Sequence, residues 1–243
     1  MSNTAIIIPT RLGAKRFPNK PLAKINNIPM IVHVFNRAKE AKLGEVFVAT
    51  PDEEIADVVK KNGGQALITK NDHPTGTDRI YEVYQKNLKN KVDLIINLQG
   101  DMPNIEPHCI TRLEKFMRKE NTEIGTLASN INNNNEFVDV NIVKVLVDKE
   151  LKNESFLNVK DFFRSNEDLT NKKVYHHIGI YAFTNDALTK YVNLSRSKLE
   201  IERNLEQMRA LENDMSIKVA LNLSTILGVD TEKDLEKIKR EMN

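Results

Sequence analysis

The chain has one cysteine, no long apolar run, no bulk charge of either sign and no glycine-rich phosphate loop, and each shortage closes a class of function. A single thiol, Cys109, leaves no internal disulfide framework and fits a reducing compartment, where a lone cysteine is ordinarily a small core residue. No stretch approaches the roughly 18 apolar residues that span a bilayer, and the opening MSNTAIIIP lacks the basic lead and apolar length of a signal peptide. A cytoplasmic protein with no membrane insertion is the expectation. With 36 basic against 34 acidic residues and a formal charge of +2, no bulk field draws the molecule to nucleic acid, and RRM, KH and zinc patterns are missing. GxxxxGK[ST] and GxGxxG are missing too, which excludes a Walker loop and a dinucleotide fingerprint. Any anion site must therefore be local.

What is present is an alternation. The runs AIIIP (5–9), EVFVAT (45–50), QALIT (65–69) and DLIINLQ (93–99) have the β-branched content of buried strands. Between them, PMIVHVFNRAKEAK, EEIADVVKKN and DRIYEVYQKNLKN space their apolar residues for one face of a helix. Strand, helix, strand in this rhythm predicts an α/β fold with a doubly wound, mostly parallel core. Beyond residue 125, GTLASNI, NIVKVLVD, HHIGIYAF and SIKVALNL add strands, and TEKDLEKIKREM closes with an amphipathic helix. The stretch 150–174 has no clear period. A length of 243 residues suits one large core, or a core with a small subdomain.

Chemistry gathers where strands end. After the first strand, Arg11, Lys15, Arg16 and Lys20 put four cations in ten residues, at the place where open α/β sheets bind ligands. Only Gly13 interrupts them, so side chains rather than backbone would neutralise a polyanion; a solvated basic loop is the alternative. In NLQGDMP (97–103), Asp101 follows the strand at a glycine turn, positioned for a magnesium ligand or for an ordinary turn aspartate. In GVDTEKDLEK (228–237), Asp230 is either the cap of the last helix, with Thr231 as competitor, or a second ligand to the same cation. HPTGTDR (73–79) offers Thr75 and Thr77 as caps, with Asp78 and Arg79 as a surface pair, or else amides and hydroxyls for a base or sugar. Arg164, His177, Tyr181 and Gln207 make a plausible set for a hydroxylated acid, although spacing does not bring them together. Glu200, Glu202 and Glu206 with Arg203 and Arg209 fit a salt-bridge-laced helix face.

Taken in order, IIIPTRLGAKRFPNKPL, HPTGTDR, NLQGDMP, NIVKVLVD, HHIGIYAF, LEQMR and GVDT resemble the 3-deoxy-manno-octulosonate (KDO) cytidylyltransferase family, of the sugar nucleotidyltransferase superfamily. The resemblance covers nearly the whole chain except about 150–174. It implies a Rossmann-like nucleotidyltransferase core with a smaller β-rich region for sugar binding and dimerisation. It also implies a single domain, 1–243, with a mainly CTP-binding half (1–125), a mainly sugar-acid-binding and dimerisation region (126–225), and a metal-ligand turn with the C-terminal helix (226–243). The implied reaction is attack by the anomeric hydroxyl of KDO on the α-phosphate of CTP, giving CMP-KDO and pyrophosphate for lipopolysaccharide synthesis. The implied cofactor is Mg2+, and the implied assembly a homodimer.

Site residues carry over where the letters match. Arg11, Arg16 and Lys20 would hold the triphosphate, with Lys20, Arg11 and Asp101 as the catalytic set. Thr75, Gly76, Thr77, Arg79 and Gln99 would lie near the cytidine, Asp101 and Asp230 would bind the metal, and Arg164, His177, Tyr181 and Gln207 would line the sugar-acid pocket. Lys15 has no matched role. The chain departs from the family pattern at Met102, where QGDEP becomes QGDMP, at DFFR (161–164) in place of YFSR, which puts Phe163 where a serine is expected, and at Arg203, which replaces a glutamate. These departures leave open the same transfer to an amino-KDO or nonulosonic acid, or a nucleotide-binding regulator without turnover.

Overall fold

A computed structural model describes residues 3–13, 16–120, 122–164, 173–224, 226 and 228–242; Lys15 lies outside them. The chain divides into two compact units, residues 1–111 with 226–243, and residues 112–225.

The isoleucine run becomes β1 (Thr4–Pro9), in which every residue is buried. A strand buried on both faces needs apolar side chains on both, which is why TAIIIP does not alternate. It pairs in parallel with β4 (Gly44–Thr50) on one side and β6 (Leu94–Leu98) on the other, and β5 (Ala66–Ile68) extends the sheet beyond β4, also in parallel. A Cβ on Gly44 would fall 1.9 Å from the carbonyl oxygen of Thr4, so only glycine lets β4 start this close to β1. Parallel neighbours need crossovers, which α1 (Met30–Glu40), α2 (Glu53–Lys61) and α3 (Gly76–Val83) supply. The α3 helix runs on as a π-helical stretch, Tyr84–Leu88. Thr75 is its cap, accepting from the Asp78 amide.

The loop after β1 is held at several points. The Leu12 amide donates to the Asp52 carboxylate at 2.8 Å, and Asn19, at φ 57°, donates its N–H to the Leu12 carbonyl. A 3₁₀ turn at Lys20–Leu22 leads into a hairpin, β2 (Lys24–Ile25) and β3 (Ile28–Pro29), turning through Asn26 and Asn27. Both asparagines have positive φ, as a two-residue hairpin turn demands. The last helix, α9 (Glu232–Glu241), buries Leu235 and Ile238 against Ile25, Met30 and Val229, with Phe17 and Ala23 packed on the same cluster. The chain's end is thus fastened to its first loop.

The second unit takes over within α4 (Pro107–Glu120) and holds β7 (Ile124–Ser129), α5 (Asn134–Val138), β8 (Lys144–Val147), β9 (Phe156–Phe163) and β10 (Lys173–Thr184). After them come α6 (Asn185–Val192), α7 (Lys198–Arg203), α8 (Met208–Leu211) and β11 (Ile217–Leu221). β10 pairs with β8 through its first residues and with β7 through its later ones; β11 joins β7 to β9, and β9 joins β8, so the pairings close a ring. Of these only β11 with β7 is parallel, so the parallel arrangement expected of the core holds in the first unit. The protein is a mixed α/β fold.

β9 lies in the stretch whose period was unreadable. Its buried residues Phe156, Val159 and Phe162 are spaced by three where a strand's face repeats by two, Phe163 is buried as well, and its pairing with β8 shifts register at Val147. Two other expectations change. Glu200 and Arg209 are not a surface pair: Arg209 donates Nε and Nη2 to the two carboxylate oxygens of Glu200 at 2.9 and 2.8 Å, both residues are fully buried, and the guanidinium lies over the Tyr191 ring. Arg79 is no surface partner of Asp78 either. It is buried and donates to the Thr69 hydroxyl and to the carbonyls of Lys70 and Asn71.

Candidate active site

Three segments far apart in sequence meet beyond the ends of β1 and β6. The Lys20 ammonium is 2.8 Å from one oxygen of Asp101 and 3.6 Å from Asp230, and Arg16 reaches the other oxygen of Asp230 at 2.9 Å. Lys20 is the buried member, with 13% of its side chain exposed, against 53% for Arg16. The backbone builds the convergence: the Val229 amide donates to the Asp101 carbonyl, placing Asp230 beside Asp101. Asp230 is not the helix cap. Thr231 takes that role, in a capping box with Asp234, and this leaves the Asp230 carboxylate turned to the two cations. Asp is by local preference the better cap of the two, so it is the ion pairs with Arg16 and Lys20 that draw Asp230 away and leave the cap to Thr231. Two carboxylates closing on one cationic centre are the donor set a hard, oxygen-seeking dication accepts, and the Lys20 ammonium stands in that place.

Beside this node lies a cleft of ≈ 160 Å³ lined by Pro9, Thr10, Arg11, His73, Pro74, Thr75, Gly76, Arg79 and Gln99. Arg11 is exposed and makes no ion pair with a described residue. Burial first, and then the charge of Arg11, pull the pKa of Arg79 down, with Asp52 and Glu82 opposing. Arg79 serves as wall, its guanidinium committed to the 69–71 segment. The same segment is tied by Glu82, which accepts from Lys86, His73 and the Lys70 amide. Burial raises the Glu82 pKa, but these bonds prevail and bring it to about 2. Gly100 allows the turns after β1 and β6 to touch, since a Cβ there would lie 3.0 Å from Thr10 Cβ and 3.1 Å from the Pro9 oxygen. Met102, beside Asp101, is buried.

The four residues expected to line a sugar-acid pocket, Arg164, His177, Tyr181 and Gln207, fall in the second unit. His177 and Tyr181 lie on β10 with ring centroids 5.3 Å apart, although four strand residues span roughly 13 Å. The register break between Ile178 and Tyr181, at Gly179, shortens the distance. The Thr126 hydroxyl donates to the Ile180 carbonyl at 2.7 Å, so its oxygen accepts from His177 Nε2 at 3.0 Å. Burial, and secondarily the charge of His176, holds the His177 pKa at about 3. His177 is therefore neutral, with Nδ1 as an acceptor. Burial and the Glu206 charge raise the Tyr181 pKa, keeping it a phenol; Gln207, next to Glu206, is buried at the start of α8. Arg164 donates to the Val140 and Asn141 carbonyls. Arg203, one of the departures, binds Asp161 and the Phe162 carbonyl, so two departures meet in one ion pair, while Phe163 is buried.

With this geometry in hand, comparison with known proteins is direct. A sequence model of the cytidylyltransferase family matches residues 5–217. The chain belongs to the cytidylyltransferase family. It is 41% identical over 236 residues to a 3-deoxy-manno-octulosonate cytidylyltransferase of Bartonella bacilliformis, covering 97% of this chain and 96% of the other. It is 42% identical over 258 residues to one of the same name from Thermodesulfovibrio yellowstonii, covering 99% and 98%. Among solved structures it is similar to a CMP:2-keto-3-deoxy-manno-octonic acid synthetase complexed with CTP, with a TM-score of 0.88 and 36% identity over 99% of this chain and 98% of the other.

In this cytidylyltransferase two residues near the cleft went unmarked in the sequence. Asp52 fixes the cationic loop through the Leu12 amide; it stands at the N-cap position of α2 but makes no side-chain bond to that helix. Asn97 is fully buried in β6, bonded to Thr77 and Gln99. Its signal was available: an amide inside LIINL must find partners, because burying it without them is costly.

Proposed function

We propose that this chain transfers CMP from CTP to the anomeric hydroxyl of 3-deoxy-manno-octulosonate, releasing pyrophosphate. The observation that carries the proposal is the meeting of Lys20, Asp101, Asp230 and Arg16 beyond the strand ends, in a chain whose relatives bear that activity as their name. In-line displacement at phosphorus asks for positioning and charge neutralisation rather than a nucleophilic side chain, and the first unit offers those. Arg11 and Arg16, both exposed, gather the β- and γ-phosphates, while Lys20, held by two carboxylates, orients the α-phosphate. Asp101 and Asp230 would hold Mg2+, which supplies Lewis-acid neutralisation of phosphate oxygens when bound. The cytidine takes the cleft of Thr75, Gly76, Arg79 and Gln99, while Thr77, expected there too, is buried behind it and bonded to Asn97. For the sugar acid, Arg164 supplies the positive charge, and neutral His177, Tyr181 and Gln207 supply hydrogen bonds to hydroxyls.

In this reading the first unit, with its four parallel strands and crossover helices, is the Rossmann-like nucleotide core, and the second is the sugar-acid and dimerising half of a homodimer. No described helix is long and apolar enough to cross a membrane. The proposed reaction, on CTP and KDO in the cytoplasm, would stand ahead of lipopolysaccharide assembly. The test is pyrophosphate release from CTP with Mg2+ and KDO. Release that depends on KDO is expected; no release with KDO would refute the assignment, and release only with an amino-KDO or nonulosonic acid would reassign the sugar.

A further inference from the structure

Gln99 is the one neutral amide lining the cleft, and an amide can present either its oxygen or its NH2 by rotating half a turn. Here one orientation is fixed. The strand period puts Asn97 and Gln99 on the same face of the β6 run, two residues apart. Asn97 donates its Nδ2 to the Thr77 hydroxyl at 3.1 Å, inside the first turn of α3, and its Oδ1 accepts from Gln99 Nε2 at 3.2 Å. With the nitrogen of Gln99 tied down, its Oε1 is left on the side of Gly76, where a glycine Cβ would lie 3.7 Å from it. Gly76 and Gln99 both line the cleft, so the cleft presents a fixed acceptor.

A fixed acceptor discriminates between pyrimidines. Cytosine carries an amine, a donor, at the ring position where uracil carries a carbonyl, an acceptor. Opposite Gln99 Oε1 the amine makes a hydrogen bond, whereas the carbonyl meets like polarity and leaves a part-buried acceptor without a partner. We infer that Asn97 is a positioning residue that sets the nucleotide preference: through Thr77 it locks the Gln99 amide with its oxygen toward the base, and so selects CTP over UTP. Asn97 itself touches no ligand, since it is fully buried. The inference rests on the cytidylyl-transfer reading above.

The test is the ratio of CTP to UTP, as kcat/KM for pyrophosphate release and independently as Kd by titration calorimetry, in the full chain. Asn97→Leu keeps the volume and removes the tether, letting Gln99 turn its NH2 outward. The CTP:UTP ratio should fall about tenfold or more. Adding Gln99→Glu to that variant should raise the ratio again, because a carboxylate presents an acceptor in either orientation. If Asn97→Leu does not fold, Thr77→Val breaks the same chain one bond earlier, and its ratio must fall too. A wild-type ratio in whichever variant folds overturns the inference, as does a double variant that stays unselective. These outcomes are separable from failure of the wider reading, in which the wild-type chain would release no pyrophosphate from CTP at all.

Discussion

His177 should make the second unit lose stability on mild acidification, from pH 7.5 to 5.0. Its folded pKa is about 3 against an ordinary 6.5, the cost of burying a charged imidazole next to His176. The sign follows from which state binds protons. Between these values the unfolded chain is protonated and the folded one is not, so stability is fully present above pH 6.5 and is lost as pH falls toward 3. At pH 5.0 about 97% of the unfolded histidines carry a proton, against about 1% of the folded ones, and the linked loss relative to pH 7.5 is about 2 kcal/mol. Glu82 contributes with the same sign but lower, between its ordinary 4.5 and about 2, and so adds little above pH 5. His176, whose pKa burial also lowers, adds its own loss, and a difference measurement cancels it. The assay is urea unfolding at pH 7.5 and 5.0 for the wild type and for His177→Asn. The wild type should lose about 2 kcal/mol more than the variant on acidification. Equal losses would mean that His177 is not held neutral by burial, and the hydrogen-bonding role given to it would fall with that.

Three other outcomes are expected. Lys20→Ala should lower kcat for pyrophosphate release by about two orders of magnitude, since it removes the cation between two carboxylates, while Arg16→Ala, at a half-exposed position, should act mainly on KM. Thr231→Ala should cost about 1 kcal/mol in thermal unfolding and raise the Mg2+ concentration needed for half-maximal rate, because Asp230 is then the nearest substitute cap. Arg209→Ala should destabilise by about 3–5 kcal/mol in denaturant titration, as it leaves the Glu200 carboxylate buried with Arg196 as its remaining charged partner, beside the Ser197 amide.

The sequence disclosed those elements whose local pattern agrees with their surroundings. β1, β4 and β6 are buried on both faces and so appear as unbroken apolar runs, and the crossover helices bury one stripe each. β9 stayed hidden because its core residues repeat by three, and the β2–β3 hairpin because strands of two residues carry no period. At the site, strand ends and charge marked the cationic loop and Asp101, both of which are local features. What could not be seen was tertiary. Whether Asp230 caps its helix depends on Arg16 and Lys20, more than two hundred residues away, and the role of Asn97 depends on a threonine in another element. Of the two readings offered for Arg79 the surface pair with Asp78 fails, because the Thr69 hydroxyl and the carbonyls of Lys70 and Asn71 draw the guanidinium inward, a tertiary contact no local pattern shows.

The central claim is that the triphosphate of CTP lies over Lys20 with its metal on Asp101 and Asp230. A crystal structure of the chain with CTP and Mg2+ tests it most directly. The account predicts the phosphates among Arg11, Arg16 and Lys20, one ion coordinated by oxygens of both aspartates, and the cytosine amine facing Gln99 Oε1. A nucleotide bound away from the Lys20 node, or an ion coordinated by neither aspartate, would contradict it.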